Sequence, residues 1–450
     1  MDAGADRTPL ESALRKARWR ILPLLGLGYL AAFTDRVNIS FAAESMNRDL
    51  HFSPSVYGLG AGLFFISYAL LEIPSNGLLL RFGARRWLAR IMLTWGLLAA
   101  AMMFVRGRPS FYGMRLLLGA AEAGYFPGVL YYVSQWFPLQ QRARAISWFY
   151  VSFPLSSTVM GAAAGSLLRL DGVLGLRGWQ WLFLVEGLPA VLLSVAFWFG
   201  LPDRPATAKW LNERERTELD AVFAERHDAG DEHREGWKLL QGVLREPRVW
   251  VFGLFNFCML GTTYAVSFFL PAMVRELTGL SLERVGYLIA LIGVVAAVVM
   301  ILNAAHSDKT MDRRWHVLGP VLLMAAMVLV AGVHLRGAAV GVMLATLLIV
   351  FASILGPMNV IATELCRGRA AALAVATQNM CGIIGGFAGP YWMGWMREET
   401  GGYAVGIGSL SVVCLVAAGC IVWLTRVRTV NVTNVREKIL NATPELADEG

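Results

Sequence analysis

Long apolar blocks alternate with short polar loops along almost the whole chain. The blocks span 19–40, 56–76, 86–106, 110–134, 142–166, 180–200, 247–270, 283–305, 315–335, 338–362, 370–394 and 404–426. Each approaches the about 20 residues with which a helix crosses a roughly 30 Å hydrocarbon layer. Six precede the one long polar stretch, 201–246, and six follow it. That stretch opens with Leu201-Pro202-Asp203-Arg204-Pro205 and continues with a charge-rich run, Asn212 to Glu218. It fits an amphipathic cytoplasmic helix and a plain solvated linker equally well. The pattern predicts an all-α membrane protein of twelve transmembrane helices in two six-helix halves. Its divisions are an N-terminal segment 1–18, a first bundle 19–200, a linker 201–246, a second bundle 247–426 and a tail 427–450.

Composition agrees. Of 450 residues, 56% are hydrophobic and 16% charged, where soluble domains carry about a quarter charged. The formal charge is +8. A basic excess can signal nucleic acid, but here Lys and Arg sit in short loops between apolar blocks, as the positive-inside rule expects. The expected partner is a lipid bilayer and not nucleic acid. Arg7, Arg15, Lys16, Arg18 and Arg20 lie around the start of the first block, and Arg426, Arg428, Arg436 and Lys438 follow the last. Summed with the loops, they predict both termini on the cytoplasmic side of a multi-pass inner-membrane protein. The cysteines Cys258, Cys366, Cys381, Cys414 and Cys420 form no C-x-x-C pair and read as packing residues. The first block runs too long for a signal peptide core and lacks a small-residue cleavage pattern.

The two halves echo each other. The loop after block two reads Gly77-Leu-Leu-Leu-Arg81-Phe-Gly83-Ala-Arg85-Arg86, and the loop after block eight reads Ser307-Asp308-Lys-Thr-Met-Asp-Arg313-Arg314. Six helices twice over, with a repeated basic turn, is the trace of a duplicated transporter fold.

With these features the chain resembles the major facilitator superfamily. The basic turn is similar to its signature loop, and Arg115-Leu-Leu-Leu-Gly119 resembles its Arg-x-x-x-Gly motif in helix four. Four stretches narrow the resemblance to the anion:cation symporter family, which holds tartrate, phthalate, hydroxyphenylacetate and galactonate permeases. They are Asp35 to Ser40, Arg115 to Gly128, Gly178 to Gly187 and Gly385 to Pro390. The resemblance covers nearly the whole chain. It implies a gating role for Gly77, Arg81, Gly83, Arg85 and Arg86, and for Asp308, Arg313 and Arg314 in the second half.

Ionisable residues at membrane depth are costly and default to a functional reading. They are Asp35, Arg36, Glu72, Arg115, Glu122, Glu186 and Glu364. At about 1.5 Å per residue, Asp35 lies ~24 Å along helix one, and Arg115 and Glu122 lie ~8 and ~18 Å into helix four from the opposite side. Asp35 and Arg115 therefore share a depth at which an ion pair is feasible, with Glu122 nearer the midplane. Gly119 leaves room on their face for a ligand or a neighbouring helix. Two arginines face two carboxylates; an anionic substrate adds a third negative charge, relieved if one carboxyl takes a proton. The planar fork of arginine suits a carboxylate or sulfonate. Arg36 is the first choice for the substrate anion, Asp35 and Glu122 for proton coupling, and Arg115 for a partner and switch. The family resemblance implies the same roles. Glu72, before Pro74-Ser75-Asn76, reads as a gating residue, and Glu186 and Glu364 as caps or packing partners. His306 and His316 read as solvated.

Tyr68 matches a cavity-lining position in relatives. Asn256, Tyr264, Ser267, Asn359, Gln378 and Asn379 are the polar candidates of the second half. Two departures from the family matter. Phe153 stands where sugar-acid permeases carry Gln, and Gly382-Ile383-Ile384-Gly385-Gly386 replaces a Gly-Asn-x-Gly-Gly run. Both remove an amide from the pocket, which favours an aromatic or a small compact acid.

The expected function is uptake of an organic anion by proton symport with alternating access, by a monomer. Sodium is the less favoured ion, since no cluster of carbonyl and carboxylate ligands is evident. No catalytic residue, metal or cofactor is expected, because no nucleophile–base or metal-type cluster appears at useful spacing. Proton-coupled export of organic acids or drugs is the alternative within transport, although Pro154 to Gly165 lacks the Gly-Pro element usual in antiporters. A transporter-like membrane sensor is the alternative from another class.

Overall fold

The computed structural model describes residues 8–224, 241–334, 337–364 and 369–441, and their regular elements are all helical. In the first half these are α1 (Pro9–Leu50), α2 (Pro54–Phe82), α3 (Ala84–Ala101), α4 (Arg108–Glu122), α5 (Tyr125–Trp136), α6 (Leu139–Leu168) and α7 (Gly178–Gly200). A linker helix, α8 (Glu213–Ala224), follows. The second half comprises α9 (Pro247–Ser267), α10 (Leu270–Thr278), α11 (Leu282–Thr310), α12 (Arg314–Val333), α13 (Ala338–Glu364), α14 (Arg369–Thr400) and α15 (Ala404–Asn441). Cys366 and the side chain of Glu364 lie outside the described part.

Local chemistry sets the ends. Thr8 and Ser53 cap α1 and α2 through their hydroxyls, each followed by Pro in the first turn, where its missing N–H costs nothing. Among the described residues, ten helical spans are long and apolar enough to cross a membrane. The long helices α1 and α14 fall short on composition: α1 carries Asp35 and Arg36 in its middle, and α14 carries Thr377, Gln378, Asn379 and a run of glycines. Both still pack within the bundles, α1 on α6 and α7, and α14 on α9 and α2.

Two expected single helices are broken. The block 110–134 divides into α4 and α5 at Ala123-Gly124, where Gly124 takes φ +85°, a left-handed conformation that glycine adopts without a Cβ clash. The block 247–270 ends at Ser267, and α10 starts afresh with Pro271 in its first turn.

The two bundles meet along two seams, α2 with α14 and α6 with α11. Glycines make both. A Cβ at Gly62 would lie 2.8 Å from the Phe387 carbonyl oxygen, and one at Gly394 would lie 3.2 Å from the Gly58 Cα. Gly161 and Gly286 face each other across the other seam, each against the carbonyl of its partner. Small residues allow this close backbone approach in membranes. Polar contacts reinforce the same half of the molecule. Tyr57 donates to the Phe268 carbonyl at 2.9 Å, the Ser55 N–H donates to Glu398 at 3.1 Å, and Arg275 and Arg169 pair with Glu44 and Glu283. All lie towards the end holding Leu50, Pro54, Gly279 and Thr400. The bundles are joined across that half, around a cavity of about 450 Å³ lined by Glu44, Tyr57, Arg275 and Tyr403.

The linker run left open by its sequence is helical over Glu213–Ala224 and docks on the first turns of α1. Glu215 receives Lys16 Nζ at 2.8 Å and the Ser12 hydroxyl at 2.7 Å, while Leu10 N–H donates to Glu218. Asn212 and Glu215 cap each other reciprocally, as in a capping box. Burial opposes the Glu215 charge, but Lys16, the Asn212 backbone and Ser12 together hold its carboxyl below the usual range.

Candidate functional site

A cavity of about 300 Å³ lies between the bundles. The first half contributes α1, α2, α5 and α6 to its walls, and the second half α9, α13 and α14. Its positive charge is Arg36. The guanidinium sits about 5 Å from three ring centroids, 5.2 Å for Phe33, 5.6 Å for Phe64 and 5.2 Å for Tyr68, a setting that favours a cation. Tyr68 and Tyr264 line the same cavity. Arg36 pairs with Glu122, which reaches it from the last residue of α4 and is fully buried. The second Glu122 carboxyl oxygen has no hydrogen-bond partner among the described residues. The site thus holds an arginine facing the cavity and a carboxylate standing behind it as counter-ion.

Aromatic rings make up much of the remaining wall. Phe153 meets Phe33 edge-on at 5.2 Å and Phe351 of the other bundle at 5.5 Å. Tyr29 stacks on Phe126 at 5.2 Å. Across the cavity the second half offers uncharged polar groups. Asn256 donates to the Gln378 backbone carbonyl at 3.3 Å, and its own oxygen has no partner among the described residues. Gln378 is 1% exposed, and both its amide atoms lack a partner among the described residues.

The Major Facilitator Superfamily sequence pattern matches residues 25–390. The chain belongs to that superfamily. It is 42% identical over 411 residues to the "Putative tartrate transporter" of Agrobacterium vitis, covering 90% of this chain and 93% of that protein. It is 36% identical over 408 residues to the "Quinolone resistance transporter" of Acinetobacter baumannii, covering 90% and 93%. The fold matches a crystal structure of a bacterial homologue of the human lysosomal transporter Spinster with TM-score 0.75, at 18% identity, over 91% of this chain and 97% of that one. This facilitator is a multi-pass membrane protein whose relatives are transporters.

The facilitator cavity gathers most residues singled out from sequence: Arg36, Tyr68, Phe153, Asn256, Tyr264, Gln378 and Asn379 line it together, as does Asn359. Arg115 does not. It is 1% exposed, donates to the Gly60 and Ala61 carbonyls at 3.3 and 3.1 Å, and lies 4.9 Å from the Phe64 ring centroid. The feasible Asp35–Arg115 ion pair does not form. Asp35 instead accepts from Trp95 Nε1 at 3.0 Å and Asn38 Nδ2 at 3.2 Å. The reason is the close fit of α4 on α2 at Gly119, where a Cβ would meet the Phe64 carbonyl carbon at 2.9 Å; the approach turns Arg115 onto α2 backbone. Gly119 thus makes room for a helix. Glu72, expected at a gate, lines the cavity.

Among the signature residues, Arg85 pairs with Asp203 at 3.2 Å beyond the end of α7, and Gly83 at φ +85° lets the chain turn into α3 beside the same carboxylate. Arg313 pairs with Asp308 at 2.7 Å and donates to Ser307 at 2.9 Å. Gly77, Arg81 and Arg86 are exposed, and Arg314 lies over the Trp315 ring. His306 and His316, expected to be solvated, hydrogen-bond to each other at 2.7 Å.

Tyr29, Phe33, Phe65, Phe126, Phe252 and Phe351 line the cavity without having been singled out. One signal was available: Tyr29, Phe33 and Arg36 fall at i, i+4 and i+7, one face of a helix.

Proposed function

We propose that this protein takes up an organic anion by proton symport with alternating access. The pair of Arg36 on the cavity wall with Glu122 buried behind it carries the reading. An incoming carboxylate or sulfonate competes with Glu122 for the guanidinium fork. Glu122, displaced into an aromatic and apolar setting, takes a proton, so the cavity gains no net charge. Only the loaded or the empty site is then electrically balanced, which ties substrate to proton. Asp35 contributes a second carboxylate to the same network, and Arg115 anchors α4 to α2. With both termini on the cytoplasmic side, the half in which the bundles are joined by Tyr57, Ser55 and Arg275 is the outer one, and the cavity around Arg36 loads or empties inward. The rings around Arg36 favour an aromatic or compact acid, and the relative named as a tartrate transporter supports a carboxylate. The signature residues act as the inner gate, and the protein works as a monomer.

The test is uptake into proteoliposomes under an imposed pH gradient, screened over tartrate, benzoate and benzenesulfonate. For one anion with one proton, each pH unit sustains about tenfold accumulation. Uptake indifferent to the gradient would overturn the coupling.

A second reading, export of aromatic compounds, is favoured by the relative named for quinolone resistance and by the aromatic walls. Loading of inside-out vesicles with a fluoroquinolone under the same gradient separates the two.

A further inference from the structure

The cavity of about 450 Å³ at the end where Tyr57 and Arg275 join the bundles has a volume within the range of small-molecule sites. An aromatic layer divides it from the Arg36 cavity. Phe65 and Tyr264 line the Arg36 cavity, and Phe268 lines the second one, its ring centroid 6.2 Å from that of Phe65 and 5.4 Å from that of Tyr264. Tyr57 fastens the layer by donating to the Phe268 carbonyl at 2.9 Å, and its ring meets Phe269 edge-on at 5.2 Å. The two cavities therefore follow one another along the seam between the bundles.

The second cavity repeats the chemistry of the first. Arg275 of α10 and Arg397 of α14 line it, with Glu44 of α1 and Glu276 of α10. Arg275 pairs with Glu44, and Arg397 pairs with Glu276 at 3.4 Å. Glu398 is engaged instead by the Ser55 N–H at 3.1 Å. The Arg397 guanidinium lies 4.0 Å from the centroid of the Tyr403 ring, which meets Phe269 edge-on at 5.8 Å. An arginine over an aromatic ring, with a carboxylate as counter-ion, is the same set of parts as Phe33, Arg36 and Glu122. The fork of arginine suits a carboxylate or sulfonate here as there. Phe52, Tyr57 and Phe269 give an aromatic acid an apolar wall. In the same wall, the Tyr403 hydroxyl and the Asn47 side-chain oxygen have no hydrogen-bond partner among the described residues.

The sites differ in what becomes of a displaced acid. Glu122 is fully buried, whereas the Glu44 and Glu276 side chains are 31% and 57% exposed. A carboxylate displaced from Arg275 or Arg397 can turn to water, and ion pairs exposed to this degree are weak. We propose that this cavity is a second, outer site for organic anions, in which Arg397 and Arg275 hold a carboxylate or sulfonate against the aromatic wall. It fills without taking up a proton. Seating the anion draws Arg275 away from Glu44 and so releases a tie between α1 and α10, one from each bundle. Its place on the outer side, and its use as a stop on the way to Arg36, rest on the uptake reading above; the binding does not.

Calorimetric titration of the purified full chain in lipid with benzenesulfonate, which stays ionised at acid pH, reads the site directly. Arg36→Ala removes the inner anchor and is expected to leave one binding event, unchanged from neutral to mildly acidic pH. Adding Arg397→Gln to that chain should weaken the event at least about tenfold, the loss of a hydrogen bond to a charged group. Adding Glu44→Gln instead should tighten it about two- to fivefold, because Arg275 loses its competitor; a merely structural ion pair would give no tightening. An Arg36→Ala chain that binds no benzenesulfonate overturns the proposal, as does binding unmoved by Arg397→Gln or not tightened by Glu44→Gln. With Arg36 intact, Arg397→Gln is expected to lower by one the number of benzenesulfonate ions bound per chain, at the concentration that fills the wild-type protein. An unchanged number overturns the site even where Arg36→Ala does not fold. Uptake indifferent to the pH gradient would sink the symport reading and leave this count untouched.

Discussion

The two halves share an architecture and divide their chemistry. The first bundle holds Asp35, Arg36, Glu72, Arg115, Glu122 and Glu186 at membrane depth. The facing cavity wall from the second bundle is uncharged and is polar through Asn256, Thr263, Tyr264, Asn359, Gln378 and Asn379. On the proposed function, the charge to be exchanged sits in one body, and the uncharged polar groups facing it sit in the other. A rocking motion between the bodies then changes access without pulling the ion-pair network apart.

The most damaging variant should be Arg36→Ala. Removing one partner of a buried charge pair costs about 2–5 kcal/mol, so transport is expected to fall at least about thirtyfold. Arg36→Lys should rescue little, because an ammonium lacks the planar fork; initial uptake rates check both. Next comes Glu122→Gln, expected to abolish the about tenfold accumulation per pH unit while counterflow of unlabelled against labelled substrate persists. If Glu122→Gln still concentrates substrate, the division between the halves is wrong.

Changes in the second bundle should be milder and should act on affinity. Gln378→Ala or Asn256→Ala each would remove one neutral hydrogen bond to the bound substrate, of about 0.5–1.5 kcal/mol. Half-saturating substrate concentration is expected to rise about two- to tenfold, with coupling intact. Loss of coupling there would erase the contrast. Smallest is the outer cap. The Ser55 and Ser53 hydroxyls and the Ser55 N–H hold Glu398 below the usual carboxylate range. A lowered carboxyl contributes fully above its ordinary value of about 4.3 and loses its contribution only as pH falls through the depressed one. The cap therefore persists through mildly acidic conditions. Glu398→Gln should leave the pH profile of uptake above about pH 5 unchanged, since an exposed contact contributes about 0–1 kcal/mol.

The sequence announced the helices because burial in lipid demands long apolar runs, and it announced Arg36 and Glu122 because charge inside such runs is rare. It pointed to most of the polar cavity wall for the same reason. The pairing of those charges was not legible. Depth along two helices put Asp35 level with Arg115, but depth says nothing of rotation, and the Gly119 contact turns Arg115 towards α2. The aromatic lining was hidden because Phe and Tyr in a membrane helix look alike whether they face lipid, protein or cavity. Breaks at Gly124 and Pro271 were equally silent, since apolar residues continue across them.

The break at Gly124 changes how far a signal must travel. A Cβ there would come within 2.7 Å of the Ser75 Cβ, and Ser75 accepts from Trp87 Nε1 at 3.0 Å beside the signature turn. Glu122, the hinge and the basic loop are therefore joined by three touching residues. A swing of α5 about that joint, triggered two residues away by the loss or gain of a proton on Glu122, would reach the loop as a lever reaches a latch, with no rigid rod needed in between.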